Sequence, residues 1–362
     1  YRRGDISGYF GIDDPHLAAQ LQGELTEGVF EDSSQKAKKV RLVGEVVHFA
    51  PAALHLTDQF GNAVLSGAID ADFTARTLND AQGSLHVTNL IVGETDELPA
   101  YHLDNLMLTS GYDEGIHFLT LKSDFADAEL KGRFDYGSLK QSFTNLIASK
   151  LPTLPGLPPV RKTENNFNLR LLVSKTDWLR RFLGVDVQLK HPLSLQAQVN
   201  DLSHIINLDG DLPSFAYNGS WYSDGAIHIT SPADAIKCDL QLTKLLDNGH
   251  HLKLNLQADA SDNNLTTALK WDNHHPEERM NGELNTIIRL YQNLVNKPEA
   301  HVRIMPSHVL LNNSKWSVEP SDILYSENHL LVDRFAVHHG DQHIIIDGIA
   351  SKRAEDSITV DL

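Results

Sequence analysis

Residues 251–260 alternate strictly: Leu252, Leu254, Leu256, Ala258 and Ala260 are interleaved with Lys253, Asn255, Gln257 and Asp259. Successive side chains of a strand point to opposite faces, so this spacing predicts a strand with one apolar and one polar face. Shorter alternating runs separated by Asp, Asn and Gly fill residues 1–134, with strands predicted at 40–47, 53–57, 63–73, 83–92, 101–110, 116–123 and 126–135. In the fourth of these, Leu85 and Val87 oppose Ser84, His86 and Thr88. Such density of one-sided strands predicts an antiparallel meander.

The period changes at 136–151, where Leu139, Phe143, Leu146, Ile147 and Leu151 recur at helical spacing behind Ser138, a cap residue type. Pro152, Pro155, Pro158 and Pro159 then forbid helix and favour an extended path. A second helix is predicted at 175–184, capped by Thr176 or Asp177 and closed by Gly184. A third is predicted at 284–294, with Ile287, Ile288, Tyr291, Leu294 and Val295 on one side. Between and after the helices, strands are predicted at 166–174, 185–190, 193–199, 204–209, 214–220, 225–229, 238–243 and 265–271, with strand and turn from 301 to 362. The expected organisation is a first β stretch over 1–151, a Pro-rich connection over 152–163 and a second β stretch over 164–362. The fold class is all-β, with about three short amphipathic helices, too few to cover so large a sheet.

Composition narrows the function classes. The chain has 362 residues, 41% hydrophobic and 22% charged, which is that of ordered protein. Its formal net charge of -17 argues against nucleic acid as a partner. The lone cysteine, Cys238, excludes an internal disulfide. The chain opens on Tyr1 without the apolar run of a signal peptide or a membrane span, and residues 357–362 stop in mid-alternation, which leads us to expect a fragment of a longer chain.

Catalytic patterns are lacking. Nineteen histidines include the doublets His250-His251, His274-His275 and His338-His339, but strand neighbours face opposite ways and do not readily share an ion. His-Glu-x-x-His, nucleophile-elbow and phosphate-loop motifs do not occur. The segment 219–225 has the look of a strand turn, and the Asp-rich stretch 207–211 that of a hairpin turn rather than a calcium loop. Arg3-Gly-Asp5 is a three-residue match of the kind chance supplies, and Arg180-Arg181 and Lys36 to Lys39 are expected to be solvated charge. No enzyme activity, cofactor or metal is expected on these grounds.

Two stretches are more specific. The run Phe134-Asp-Tyr-Gly-Ser-Leu-Lys-Gln-Ser-Phe-Thr-Asn-Leu146, leading into Lys150-Leu-Pro-Thr-Leu-Pro155, resembles a segment of the TamB family, the AsmA-like bridge proteins of diderm bacterial envelopes, in its long Bacteroidota form. So do Trp316-Ser-Val-Glu-Pro-Ser-Asp-Ile323, Asp333-Arg-Phe335, Gln342-His-Ile-Ile-Ile-Asp-Gly348 and Asp356-Ser-Ile-Thr-Val360. The resemblance is strongest over 124–155 and 310–362. It implies an elongated, curved antiparallel sheet forming an open half-pipe with an apolar interior. It also implies a periplasmic setting, phospholipid acyl chains as the bound partner, an inner-membrane anchor and an outer-membrane barrel protein of the Omp85 type, the last two outside these residues.

The expected function is a segment of a periplasm-spanning lipid-transfer bridge, and the alternative is an envelope scaffold or chaperone for outer-membrane proteins that works through strand edges. An ordinary closed sandwich has the same alternation. Residues expected to line a lipid groove are Leu85, Val87, Leu119, Leu121, Leu240, Leu242, Leu252, Leu254, Leu256, Ile344 and Ile346.

Overall fold

The computed structural model describes residues 6–29, 36–58, 60–96, 98–232, 234–326, 329–351 and 356–361. Among the described residues, 24 strands, paired antiparallel, belong to one hydrogen-bonded sheet. In chain order they begin with β1 (Ile6–Asp14), β2 (Leu17–Val29), β3 (Lys36–Phe49), β4 (Leu65–Ala75), β5 (Gln82–Val92), β6 (Tyr101–Asp113), β7 (Ile116–Ser123) and β8 (Ala126–Arg133). Helix α1 (Leu139–Lys150), β9 (Asn166–Val173) and α2 (Asp177–Leu183) follow. Next come β10 (Val187–Leu189), β11 (Leu193–Asn200), β12 (Ile205–Tyr217), β13 (Ser220–Thr230), β14 (Ile236–Leu245), β15 (His251–Ser261), β16 (Asn264–Asp272) and β17 (Asn281–Gln292). The last are β18 (Pro298–Ile304), β19 (Ser307–Leu311), β20 (Ser314–Val318), β21 (Ser321–Ser326), β22 (His329–His339), β23 (Gln342–Ser351) and β24 (Ile358–Asp361).

The chain divides into two compact units. One comprises Tyr1–Gly137, Asn166–Gln196 and Phe215–Gly219, and the other Ser138–Asn165, Ala197–Ser214 and Ser220–Leu362. In the first, β1 to β9 form a meander in which each strand pairs with the next. Helix α2, in this unit, is held by aromatic edges: Phe182 meets Phe60 at 5.5 Å and Tyr101 at 5.9 Å between ring centroids. Burial, then the nearby Asp124 and Asp177 carboxylates, push the Tyr101 phenol up to about 12.

In the second unit β13 to β18 continue as a meander, and then the pattern splits. β17 pairs with β18 along Thr286–Gln292 and with β19 at Asn281 and Gly282. β22 likewise meets β21 along one half and β20 at its other end. Two short strands laid end to end thus take the place of one long strand at each of two successive positions.

The two helices match the first two predicted, with instructive differences at their caps. Ser138 stands at the N-cap of α1 without capping it, because its hydroxyl accepts from Asn165 Nδ2 at 3.1 Å. Thr176 stands before α2, but its Oγ1 donates to the Val187 carbonyl at 2.6 Å. Gly184 closes α2 as expected, with a left-handed backbone at φ 67°.

The third predicted helix is wrong. Residues 284–294 fall mostly in β17, where Leu284, Thr286, Ile288 and Leu290 alternate on one face. Ile287 points the other way, opposite Thr266 and Arg303. Helical spacing arose because Ile287 and Ile288 are adjacent and apolar; two adjacent β-branched residues favour strand, and pairing on both sides decides it. Residues 53–57, predicted as strand, form turns. The stretches 204–209 and 214–220 are largely one strand, β12, so the Asp-rich segment 207–211 lies inside a strand instead of a hairpin turn. β1 and β2, where no strand was placed, extend the meander.

Close packing across the sheet is seen at Gly282, which lies opposite Trp271. A Cβ built on Gly282 would sit 2.4 Å from Trp271 Cζ2. Gly282→Ala is therefore expected to displace the indole and cost about 1–3 kcal/mol, as overpacking does. Gly23→Ala, whose Cβ would be 3.9 Å from Leu42, should cost far less. Urea midpoints followed by tryptophan emission distinguish the two.

Candidate functional site

The strand registers bring the apolar residues of neighbouring strands directly opposite one another. In the first unit one line of partners runs Leu42, Ala71, Leu85, Leu108, Leu121, Ala128, Leu171 across seven strands. The adjacent line runs Arg41, Asp72, Ser84, Thr109, Thr120, Glu129, Arg170. One face is thus apolar and the other polar, and the polar face carries cross-strand ion pairs such as Lys39–Asp72 at 3.4 Å and Arg170–Glu129 at 3.4 Å.

The second unit repeats the design. Leu242, Leu254, Trp271, Gly282, Val309 and Trp316 form one apolar line, and Ile227, Leu240, Leu256, Leu269 and Leu284 another. A third joins Ile236, Ala260, Leu265, Ile288, Val302, Ile323 and Val332. Gln241, Asn255, Lys270 and Glu283 stand opposite one another on the far side.

All the residues expected to line a groove lie on these apolar faces. Leu85, Val87, Leu119 and Leu121 share the face of the first unit; Leu240, Leu242, Leu252, Leu254, Leu256, Ile344 and Ile346 share that of the second. Ile344 is opposite Val337, and Ile346 opposite Phe335. Leu252 faces Lys244, so the apolar line meets a charge there. Ten of the eleven are half-buried, and Ile344 is 36% exposed. None reaches the burial of a closed core.

Part of the second unit's face is covered by its own chain. Leu151, at the end of α1, packs with Ala260, Leu290 and Ala300, and Leu154 of the Pro-rich segment adds to the same cluster beside Ile236, Leu265 and Ile288. Asn263 fastens that segment: its N–H donates to the Lys150 carbonyl at 2.8 Å, and its Oδ1 accepts from Thr153 N and Oγ1. On the other side of α1, buried Asp201 accepts from Ser142 Oγ at 2.9 Å and from the Asn165 N–H at 2.8 Å. The helix is thereby tied down by hydrogen bonds as well as by leucines.

Three groups of catalytic residue type come together, and sequence spacing pointed to none of them. Ser110 Oγ lies 3.0 Å from His117 Nε2, both buried. The hydroxyl donates to the Ala81 carbonyl at 2.7 Å, so the imidazole supplies the proton between them and cannot act there as a base toward the serine. His117 is stacked on Phe134 at 4.4 Å and Tyr112 at 4.9 Å, and burial, opposed by the Asp80 charge, holds its pKa below the ordinary 6.5.

The second group is Arg181, which is buried instead of solvated as expected. Its Nη2 donates to the Val92 and Gly93 carbonyls, its Nε has no hydrogen-bond partner among the described residues, and burial lowers its pKa. It ties α2 to the end of β5. The third comprises His250, His275 and Glu278, one histidine from each of two doublets and an exposed carboxylate. Sequence neighbours on a strand face opposite ways, whereas the fold brings together histidines from two different loops.

Other residues weighed in the sequence have partners on or next to neighbouring strands. Asp209, in the stretch weighed as a calcium loop, pairs with His228 across strands at 2.6 Å. His338 lies 3.4 Å from Glu319, and His339 Nδ1 is 2.8 Å from the Lys315 carbonyl. Arg3 and Asp5 lie outside the described residues. Among the described residues no helix is long and apolar enough to cross a membrane. No protein-family model, curated protein or solved structure matches the chain.

Cys238 gives the apolar face a native reporter, since it lies opposite Ala258 and Ile229. Burial first, and Asp239 second, push its thiol above the ordinary 9.0. A raised pKa leaves less thiolate at a given pH. Reaction with a disulfide reagent at pH 8 should therefore be slower than that of a small free thiol, and should still be rising where the free thiol has levelled off. A profile matching the free thiol would contradict this placement.

Proposed function

We propose that this chain is a segment of a bridge-like lipid-transfer protein of a diderm cell envelope, carrying phospholipid acyl chains along the apolar face of its sheet. The carrying observation is the run of directly opposed apolar residues, seven strands wide in the first unit, whose members stay half-buried. An apolar sheet face of this extent in water is an aggregation hazard unless something covers it. Acyl chains are suitable cover: each buried methylene contributes roughly 0.8 kcal/mol, and the attraction has no preferred direction. A tail so held can slide without breaking a specific bond.

The resemblance to the TamB family supports the setting: a half-pipe in the periplasm, phospholipid as cargo, an anchor in the inner membrane and a barrel partner in the outer membrane. In this reading Leu85, Val87, Leu119, Leu121, Leu240, Leu242, Leu252, Leu254, Leu256, Ile344 and Ile346 line the track, and headgroups stay at its open seam. Chemistry on the cargo is not required.

Gentle purification followed by mass spectrometry of an organic extract is expected to recover bound phospholipid. Leu254→Asp and Ile346→Asp are expected to abolish lipid pick-up from vesicles while leaving the circular dichroism spectrum and urea midpoint nearly unchanged. Absence of lipid from the wild-type extract counts against the conduit. Cooperative unfolding of both variants would assign the face to a closed core, and unimpaired assembly of outer-membrane proteins without lipid pick-up would favour the strand-edge scaffold.

A further inference from the structure

We infer that His250, His275 and Glu278 form a binding site for a divalent first-row transition ion, with Zn2+ as the natural probe. The site is independent of the lipid track. It is built from two connections at one end of the second unit's sheet: residues 246–250 between β14 and β15, and 273–280 between β16 and β17. β15 pairs with both β14 and β16, and Lys253 lies opposite Asp272, so the two connections emerge side by side.

The ligand atoms of the three side chains all lie within 4.8 Å of one another, and the two imidazoles are stacked with centroids 4.1 Å apart. Both histidines are half-buried, while the carboxylate is exposed. Two imidazoles and a carboxylate are a donor set suited to zinc and its neighbours in the series, with positions left for water or a further ligand.

Each loop is held by its own hydrogen bonds. Asn273 Oδ1 accepts from the N–H groups of His275 and Met280, and Asn273 Nδ2 donates to the Glu278 carbonyl at 2.7 Å. The His250 carbonyl accepts from Leu246 N at 2.8 Å, and Asn248 Oδ1 accepts from the His250 N–H at 3.0 Å. Side chains at the two loop tips can therefore converge on an ion without moving the sheet.

One bond opposes loading. The Glu278 N–H donates to His275 Nδ1 at 3.0 Å, and the Asn248 side-chain amide lies 3.3 Å from His250 Nδ1. An imidazole that binds an ion through Nε2 carries its proton on Nδ1, and one that binds through Nδ1 gives up that acceptor. By either route the ion replaces the Glu278 bond, so the affinity falls short of that of a preformed structural zinc site.

Zn2+ is titrated into the chelator-stripped full chain by calorimetry and by competition with a colorimetric chelator. The expected result is one saturable equivalent with micromolar affinity. His250→Ala and His275→Ala should each weaken it by about tenfold or more, in line with the cost of disturbing metal ligation, whereas His338→Ala should leave it unchanged. In the wild-type chain, Zn2+ should protect His250 and His275, and not His338, from diethyl pyrocarbonate in mass mapping. No saturable binding overturns the site; so does equal affinity in a folded H250A/H275A variant, or protection that misses both residues. Should the alanine variants fail to fold, the wild-type protection map decides alone.

Discussion

Strand side chains alternate, and a hydrogen-bonded register makes each strand inherit its neighbour's alternation. Every apolar line in this sheet depends on that constraint. A slip of one residue between β5 and β6 would set Leu85 against Thr109 in place of Leu108 and turn the apolar face of every later strand to the polar side. The register is defended on both faces. Leucines meet leucines on one, while Lys39–Asp72, Arg170–Glu129 and Lys237–Asp259 pair across the other. Such exposed ion pairs contribute little stability individually. Their consequence is for alignment, because a slipped register would set like beside unlike on both faces at once.

Bulges keep the alternation in phase where the sequence breaks it. Register shifts lie at Ser66/Ala68 opposite Asn89, at Ser223/Ala226 and at Val332/Phe335. Asn89, Asp224 and Arg334 have left-handed backbones there, with φ of 50°, 51° and 43°. Val332 and Phe335 are three residues apart and would face opposite ways in a regular strand. The extra residue returns both to the apolar side, opposite Gly348 and Ile346. Against β4 the same device lets Val87 and Val92, five residues apart, face one side, opposite Ile69 and Leu65.

These breaks also explain what was legible in the sequence. Residues 251–260 alternate without interruption, and β15 is His251–Ser261. The face shared by Leu240, Leu242, Leu252, Leu254 and Leu256 was open to inspection for the same reason. Residues 284–294 carry a helical pattern in the sequence because apolar groups also stand on the outer face of β17, and Ile287 beside Ile288 mimics a helical step. β12 reads as two strands in the sequence because Asp209, Gly210 and Asp211 carry a turn composition, yet neighbouring strands supply partners such as His228. Pairing of that kind is long-range and leaves no local trace. His250 and His275 are 25 positions apart in the chain, and Arg181 finds the Val92 and Gly93 carbonyls across a still longer gap. Residue type signalled both; only the fold supplied the partners.

The cover over Ala260, Leu265 and Ile288 shows what the apolar face selects. Leu151 and Leu154 occupy it through branched aliphatic contact, while the hydrogen bonds that position them go to Asn263 in the turn between β15 and β16. To such a face a leucine side chain and a stretch of acyl chain are equivalent, since burial of methylene is non-directional. A face of this kind grips and does not discriminate. If it carries lipid, selectivity among headgroups therefore rests on polar groups at its margins, where Lys244 stands opposite Leu252. The leucines then set only how strongly a tail is held.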